Sequence, residues 1–103
     1  MQDVNIEFNR GVLFVRISGI LDEINEEPIR KKVLEIIQEG GIKNLVFNVQ
    51  NLQINGSVSI FKQCKNIINA NKGKMILCTN NNISLKYVDN AKDELEALRM
   101  INA

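Results

Sequence analysis

From Gly19 to Phe61 the chain reads as the end of a strand, an amphipathic helix, a second strand and the start of another helix, with no insertion large enough to house a catalytic element. Asn25 suits a helix cap, Glu26 and Glu27 suit the positive end of a helix, and Pro28 fits a first turn, where its missing N–H is not needed. Ile29, Val33, Ile36 and Ile37 then share one face at helical spacing, and Gly40-Gly41 stops the helix, which is predicted over Pro28–Glu39. Leu45–Val49 is short and apolar on both faces, as a strand covered from both sides is. A strand, a helix and a strand in that order imply a right-handed parallel crossover. This stretch therefore commits the chain to an α/β architecture.

The flanking segments complete the pattern. Val4, Ile6 and Phe8 alternate with polar residues, and Asn9-Arg10-Gly11 supplies residues tolerant of left-handed backbone for a tight turn into Val12–Ser18, so the chain opens with a hairpin whose second strand is inner. After a loop at Asn51–Gly56, Val58, Phe61, Cys64 and Ile68 lay an apolar stripe on a helix predicted over Ser57–Ala70 and ended by Lys72-Gly73. Met75–Cys78 is another apolar strand, Asn80-Asn81-Asn82 a turn, and Ile83, Leu85 and Tyr87 a short alternating strand. Asp89 then caps a last helix that turns Ala91, Leu95 and Leu98 inward. The expected fold is a small mixed sheet, mainly parallel with an antiparallel N-terminal edge, with helices packed on it.

At 103 residues the chain has the length of a single domain over 1–103. An apolar fraction of 45% with 24% charged residues belongs to a folded globular chain. The longest apolar run, Gly11–Ile17, is broken by Arg16 and falls far short of the roughly 20 residues that span a bilayer. Met1–Phe8 carries Asp3 and Glu7 where a secretion signal would be basic and then apolar, so a cytoplasmic location without membrane attachment is expected.

The same residues exclude most chemistry. With no histidine, the commonest general base near neutral pH is absent, and neither Ser57 nor Ser59 has a neighbour that would activate it as a nucleophile. Asp22-Glu23 and Glu26-Glu27 read as acids attracted to a helix N-terminus. Cys64 and Cys78 could offer a metal only thiolates, so no metal or cofactor is expected and both are read as reduced, buried thiols. Gly40-Gly41 follows a helix and lacks the lysine of a phosphate-binding loop.

Charge is unevenly spread. Every carboxylate lies within Asp3–Glu39 or Asp89–Glu96, whereas Gly40–Tyr87 holds Lys43, Lys62, Lys65, Lys72, Lys74 and Lys86 and no acid. Two readings stay open: a positive surface that attracts an acidic partner, with Lys62 and Lys65 one helical turn apart on an exposed face, or solvated rim lysines beside the acids of the outer helices. Nucleic acid is not expected as a partner, because Phe8, Phe14, Phe47, Phe61 and Tyr87 are placed as core residues.

Gly19-x-Leu21-Asp22 closing an apolar strand, followed by the helix, the strand at Leu45–Val49 and a short loop into another helix, resembles the STAS family, whose best-known members are bacterial anti-sigma factor antagonists. The resemblance spans roughly residues 4 to 99 and implies a non-enzymatic domain that binds an anti-sigma factor. That partner is also a kinase in such systems, and it phosphorylates a serine in the loop before the second helix. The family's loop resembles Asp-Ser-Ser-Gly, and here Ile54-Asn55-Gly56-Ser57-Val58-Ser59 stands at that place. Aligned without a gap, Asn55 replaces the aspartate and Ser57 falls on the acceptor. With a two-residue deletion, Gly56 takes the family's glycine and the acceptor is missing. Asn48 likewise stands where the family often has aspartate, whereas Asp22 keeps its acid, and the helix usual before the last strand is collapsed into the Asn80–Asn82 turn.

The candidate partner surface is accordingly Asp22, Asn48, Asn55, Gly56, Ser57, Lys62 and Lys65, with Ser57 or Ser59 as phosphate acceptor and a homo-oligomer possible. Ser57 can equally be a plain helix cap. A second functional reading is a small-ligand module that binds an anion or nucleotide with the cationic central segment and the N-terminus of the second helix.

Overall fold

The computed structural model describes residues 2–102. A hairpin opens the chain, β1 (Gln2–Asn9) and β2 (Val12–Leu21), with Arg10 and Gly11 both at positive φ (53° and 81°), the signature of a two-residue hairpin turn that follows strand twist. Helix α1 (Glu26–Gly40) ends on Gly41 in the left-handed conformation, and β3 (Asn44–Asn48) follows. Then come β4 (Leu52–Ile54), α2 (Ile60–Ala70), β5 (Lys74–Cys78), β6 (Asp89–Ala91) and α3 (Glu94–Ile101). The sheet runs β1-β2-β3-β5-β6, antiparallel at β1 and parallel elsewhere.

β2 is the hub. Its first half pairs with β3, Val12 to Arg16 against Asn44 to Asn48, and its end pairs with β4, Gly19 to Leu21 against Leu52 to Ile54. Because Gly19 also faces Gln2 of β1, β3 and β4 lie end to end on one edge of β2 and β1 on the other.

The period of two sorts the side chains into two layers. Leu13, Val15, Ile17, Leu45, Phe47, Met75 and Leu77 face α1 and α2 and meet Val33, Ile37, Phe61, Cys64 and Ile68. Phe47 and Phe61, both buried, pack edge to face with ring centres 5.0 Å apart. Val12, Phe14, Val46, Ile76 and Cys78 face the other way, towards Ala97, Leu98 and Ile101 of α3. At the far end of this second layer Arg16 and Asn48 stand side by side in register, and Glu94 in the first turn of α3 binds both, bidentate to Arg16 (2.8 and 2.9 Å) and 2.8 Å from Asn48 Nδ2. The Arg16 guanidinium holds the Glu94 carboxyl below the usual carboxylate range.

The sheet, its edge and both predicted crossover helices agree with the sequence reading, and several local expectations need correction. The predicted loop at Asn51–Gly56 contains β4. α2 starts at Ile60, so Ser57 and Val58 are not helical, although Val58 still packs on the core. Ile83, Leu85 and Tyr87 do not form a strand: they lie in irregular chain and alternate because a surface loop drops some side chains onto the core. The last strand is instead Asp89–Ala91, and Asp93 rather than Asp89 caps α3, its carboxylate accepting from Glu96 N–H at 2.8 Å. That shift of phase turns Leu95 outward (59% exposed) and Ala97 inward. Phe8, placed in the core by its alternation, is 60% exposed, because it sits at the end of an edge strand beyond the reach of α1. No helix intervenes between β5 and β6, as expected. Cys64 and Cys78 are buried free thiols, pushed up to about 12 chiefly by that burial.

Candidate functional site

The turn that follows β2 and the loop that leads into α2 meet at the C-terminal end of the parallel strands. Asp22 builds the first: its Oδ1 accepts from Ile24 and Asn25 N–H (2.9 and 2.8 Å), while Asn25 Oδ1 accepts from Asp22 N–H and its Nδ2 donates to the Ile20 carbonyl. Asn25 precedes α1 but its side chain closes this turn instead of capping the helix. The turn leaves Ile24 at the tip, 86% exposed.

Glu23 of that turn, Glu26 of α1 and the end of β2 hold the second loop in place. Asn55 N–H donates to the Leu21 carbonyl at 2.9 Å, and Ser57 N–H to Glu23 Oε1 at 3.1 Å. Gly56, at φ +85°, bends the loop beneath Glu23. A Cβ there would lie 3.2 Å from Glu23 Oε1, and the positive φ is one that residues with a Cβ rarely adopt, so the backbone favours glycine. Glu26, only 3% exposed, then accepts with Oε2 from Ser59 and Ile60 N–H at 2.6 and 2.8 Å, while its Oε1 takes Arg30 Nη1 at 2.9 Å. The first N–H groups of α2 are thus satisfied by a carboxylate from α1. Neither Ser57 nor Ser59 caps α2 with its hydroxyl: Ser59 Oγ accepts from Arg30 and Gln63, and Ser57 lies upstream and exposed.

Of the residues singled out in the sequence, Asp22, Asn55, Gly56 and Ser57 come together here, with Ser59 on the inner side. Asn48 does not. It faces α3, its amide spent on Glu94 and on Gln50 N–H. Lys62 is exposed with its ammonium 4.7 Å over the Tyr87 ring, and Lys65, expected to share that exposure, is half-buried. Two of the other lysines of the cationic segment lie far from them. Lys43 and Lys74 meet at the opposite, N-terminal end of β3 and β5, where Lys74 N–H donates to the Lys43 carbonyl. The N-terminus of α2, which an anion-binding site would use, already holds the Glu26 carboxylate.

The supporting acids Glu23 and Glu26 read in sequence as ordinary first-turn acids of α1. The one available signal was the spacing of Glu26 and Arg30, four apart. Chemically the site offers an exposed hydroxyl at Ser57, with the Glu23 carboxylate beside it accepting from the Ser57 N–H.

A family model described as STAS domain matches residues 3–92. Over 77 residues, 73% of this chain, the sequence is 32% identical to the anti-sigma F factor antagonist of Paenibacillus polymyxa, and the match spans 66% of that relative, just under two thirds of its length. The fold superposes on the anti-sigma factor antagonist SpoIIAA in its unphosphorylated form with a TM-score of 0.77, at 21% identity over 98% of this chain and 99% of that one. It superposes on the phosphorylated form of the Bacillus cell fate determinant SpoIIAA with a TM-score of 0.74, at 22% identity over 95% and 99%. At such identities the structural matches establish the fold.

Proposed function

The chain belongs to the STAS domain family, and on that premise we propose that it is an anti-sigma factor antagonist: a regulatory, non-enzymatic protein, a single domain over 1–103, that works in the cytoplasm by binding an anti-sigma factor. The observation that carries this reading is the paired turn, in which Glu23 and Glu26 hold the backbone N–H groups of Ser57, Ser59 and Ile60 while Ile24, Asn55, Gly56 and Ser57 stay exposed. A rigid, exposed loop on a packed scaffold is a docking surface made in advance. The relative from Paenibacillus polymyxa bears the name of this activity, and a Bacillus structural relative exists in a phosphorylated form.

Ser57, rather than Ser59, is the phosphate acceptor in this reading. Its hydroxyl is exposed, whereas a phosphate on Ser59 would be thrust against the buried Glu26 carboxylate 2.6 Å from the Ser59 nitrogen. A phosphate adds about two negative charges and a hydration shell. On Ser57 it would sit beside Glu23 and repel a partner that docks on the uncharged loop. Asp22 and Asn55 fall within the surface so defined, Lys62 at its margin, and Asn48 and Lys65 outside it.

Titration calorimetry with an anti-sigma factor from the same genome tests the proposal. Ser57→Ala should bind as the parent does and melt at the same temperature, because no helix cap is lost. Ser57→Asp should bind at least tenfold more weakly at unchanged stability. Equal affinity for Ser57→Asp, with no label transferred by an anti-sigma kinase, would remove phosphorylation control, and no binding by the parent would remove the proposal.

A further inference from the structure

Among the described residues, β1 is the terminal strand on one side of the sheet and is eight residues long, whereas β6 on the other side has three. A long edge strand exposes a row of backbone donors and acceptors. The hairpin turn fixes which ones. Arg10 and Gly11 make Asn9 and Val12 the closing hydrogen-bonded pair, so Asp3, Asn5, Glu7 and Asn9 turn their backbone groups to β2. Val4, Ile6 and Phe8 therefore aim theirs at the free edge.

The side chains of those three residues lie opposite Ile17, Val15 and Leu13, on the α1 side of the sheet. Val4 and Phe8 are 37% and 60% exposed. Val4 and Ile6, with Pro28, Ile29 and Lys32, line an open groove of about 350 Å³ between β1 and α1. Backbone and side chains of one strand thus present unsatisfied surface in the same direction.

We infer that this edge is an interface for a second copy of the chain, paired antiparallel about a two-fold axis at Ile6. Pairing that uses the free backbone groups allows the axis at any residue from Val4 to Phe8, but at Val4, Glu7 or Phe8 it places five residues or fewer of each strand in the ladder against seven at Asn5 or Ile6. At Asn5, Asp3 would face Glu7 twice, and at Glu7 that acid would face itself. At Ile6, Val4 faces Phe8 and Ile6 faces Ile6 on one side, with Asn5 against Glu7 and Asp3 against Asn9 on the other, so no like charges are opposed. The arrangement is self-complementary, as a two-fold interface must be. Phe8 of the second copy falls at the mouth of the groove beside Val4. Glu7, an acid that would otherwise guard the edge, already has its charge matched by Arg16 at 2.8 Å within its own chain.

Sedimentation of the full chain over a range of concentrations is the test. The weight-average mass should rise to twice that of one chain. Phe8→Lys, a change at an exposed position, should return it to one chain with an unchanged melting temperature. Ile6→Cys should form a disulfide-linked dimer on oxidation, since a hydrogen-bonded antiparallel pair holds its Cα atoms about 5.5 Å apart, within the span of a disulfide. Val4→Cys, whose counterpart lies four residues further along the ladder, should not, and the native cysteines are buried. A parent that stays monomeric at its highest soluble concentration, a Phe8→Lys variant that dimerises like the parent, or equal cross-linking of the two cysteine variants overturns the inference.

Discussion

Removing the Glu26 carboxylate should be among the most costly single changes to this protein. In Glu26→Ala, Ser59 and Ile60 N–H each lose a charge-assisted bond, worth roughly 1.5–3 kcal/mol apiece, and Arg30 loses its ion-pair partner and keeps only Ser59 Oγ. The sum gives an upper bound near 6 kcal/mol; breaking one partner of a buried pair costs about 3–5 kcal/mol, which we take as the expected loss. Glu26→Gln keeps an oxygen that can accept both N–H groups and forfeits the ion pair, so about 1–2 kcal/mol is expected. Urea denaturation at neutral pH reads both from the midpoint at constant slope. Against a total stability of ~5–15 kcal/mol, the alanine variant should show a midpoint lowered by about a fifth or more. Hydrogen exchange of the Ser59 and Ile60 amides should quicken in it while the amides of β3 keep their protection relative to global unfolding. A Glu26→Ala midpoint matching the parent, or equal costs for alanine and glutamine, would refute the view that this carboxylate caps α2.

Phe47→Ala should cost about 3–5 kcal/mol in the same assay, because the ring is fully buried against Phe61; a loss under about 1 kcal/mol would mean the layer facing α1 and α2 collapses around the gap. Glu94 gives a pH dependence: its folded pKa is depressed by Arg16, so the stability it contributes is complete above the ordinary carboxylate range and is lost as pH falls through the depressed value. Glu94→Gln should therefore be less stable than the parent near neutrality, with the gap narrowing in acid; parallel stability curves for the two would dismiss the Arg16 contact as a stabilising one.

The elements whose patterns come from burial were legible. β2, β3 and β5 alternate or run apolar because both their faces are covered, and α1 shows its inward stripe and its Gly41 stop. β4 was hidden because nothing local makes Leu52–Ile54 a strand; the vacant edge beside Gly19–Leu21 does. β6 was hidden for the same reason, as Asp89-Asn90-Ala91 has little strand propensity and is ordered by pairing with Ile76–Cys78. Misplacing it carried the start of α3 with it and reversed the reading of Leu95. At the site, the loop residues were visible as polar and glycine-rich chain, but the side chain that caps α2 comes from another helix, more than thirty positions earlier. The bond from Glu94 to Arg16 spans 78 positions, a separation that leaves no trace in local spacing.

The central position of β2 also fixes the order in which pairing can be cheap. Loop closure grows costlier with the length of chain enclosed, by about 0.6 kcal/mol for each doubling, and the turn at Arg10-Gly11 encloses only two residues. The hairpin is therefore the least expensive contact to make, and hairpins of this kind close in roughly 1–10 μs. Once closed, it offers β3 and β4 a ready edge, whereas β5 and β6 can join only after β3 has docked. A chain that emerges from the ribosome N-terminus first would have this template finished while α2 and the strands beyond it were still unmade.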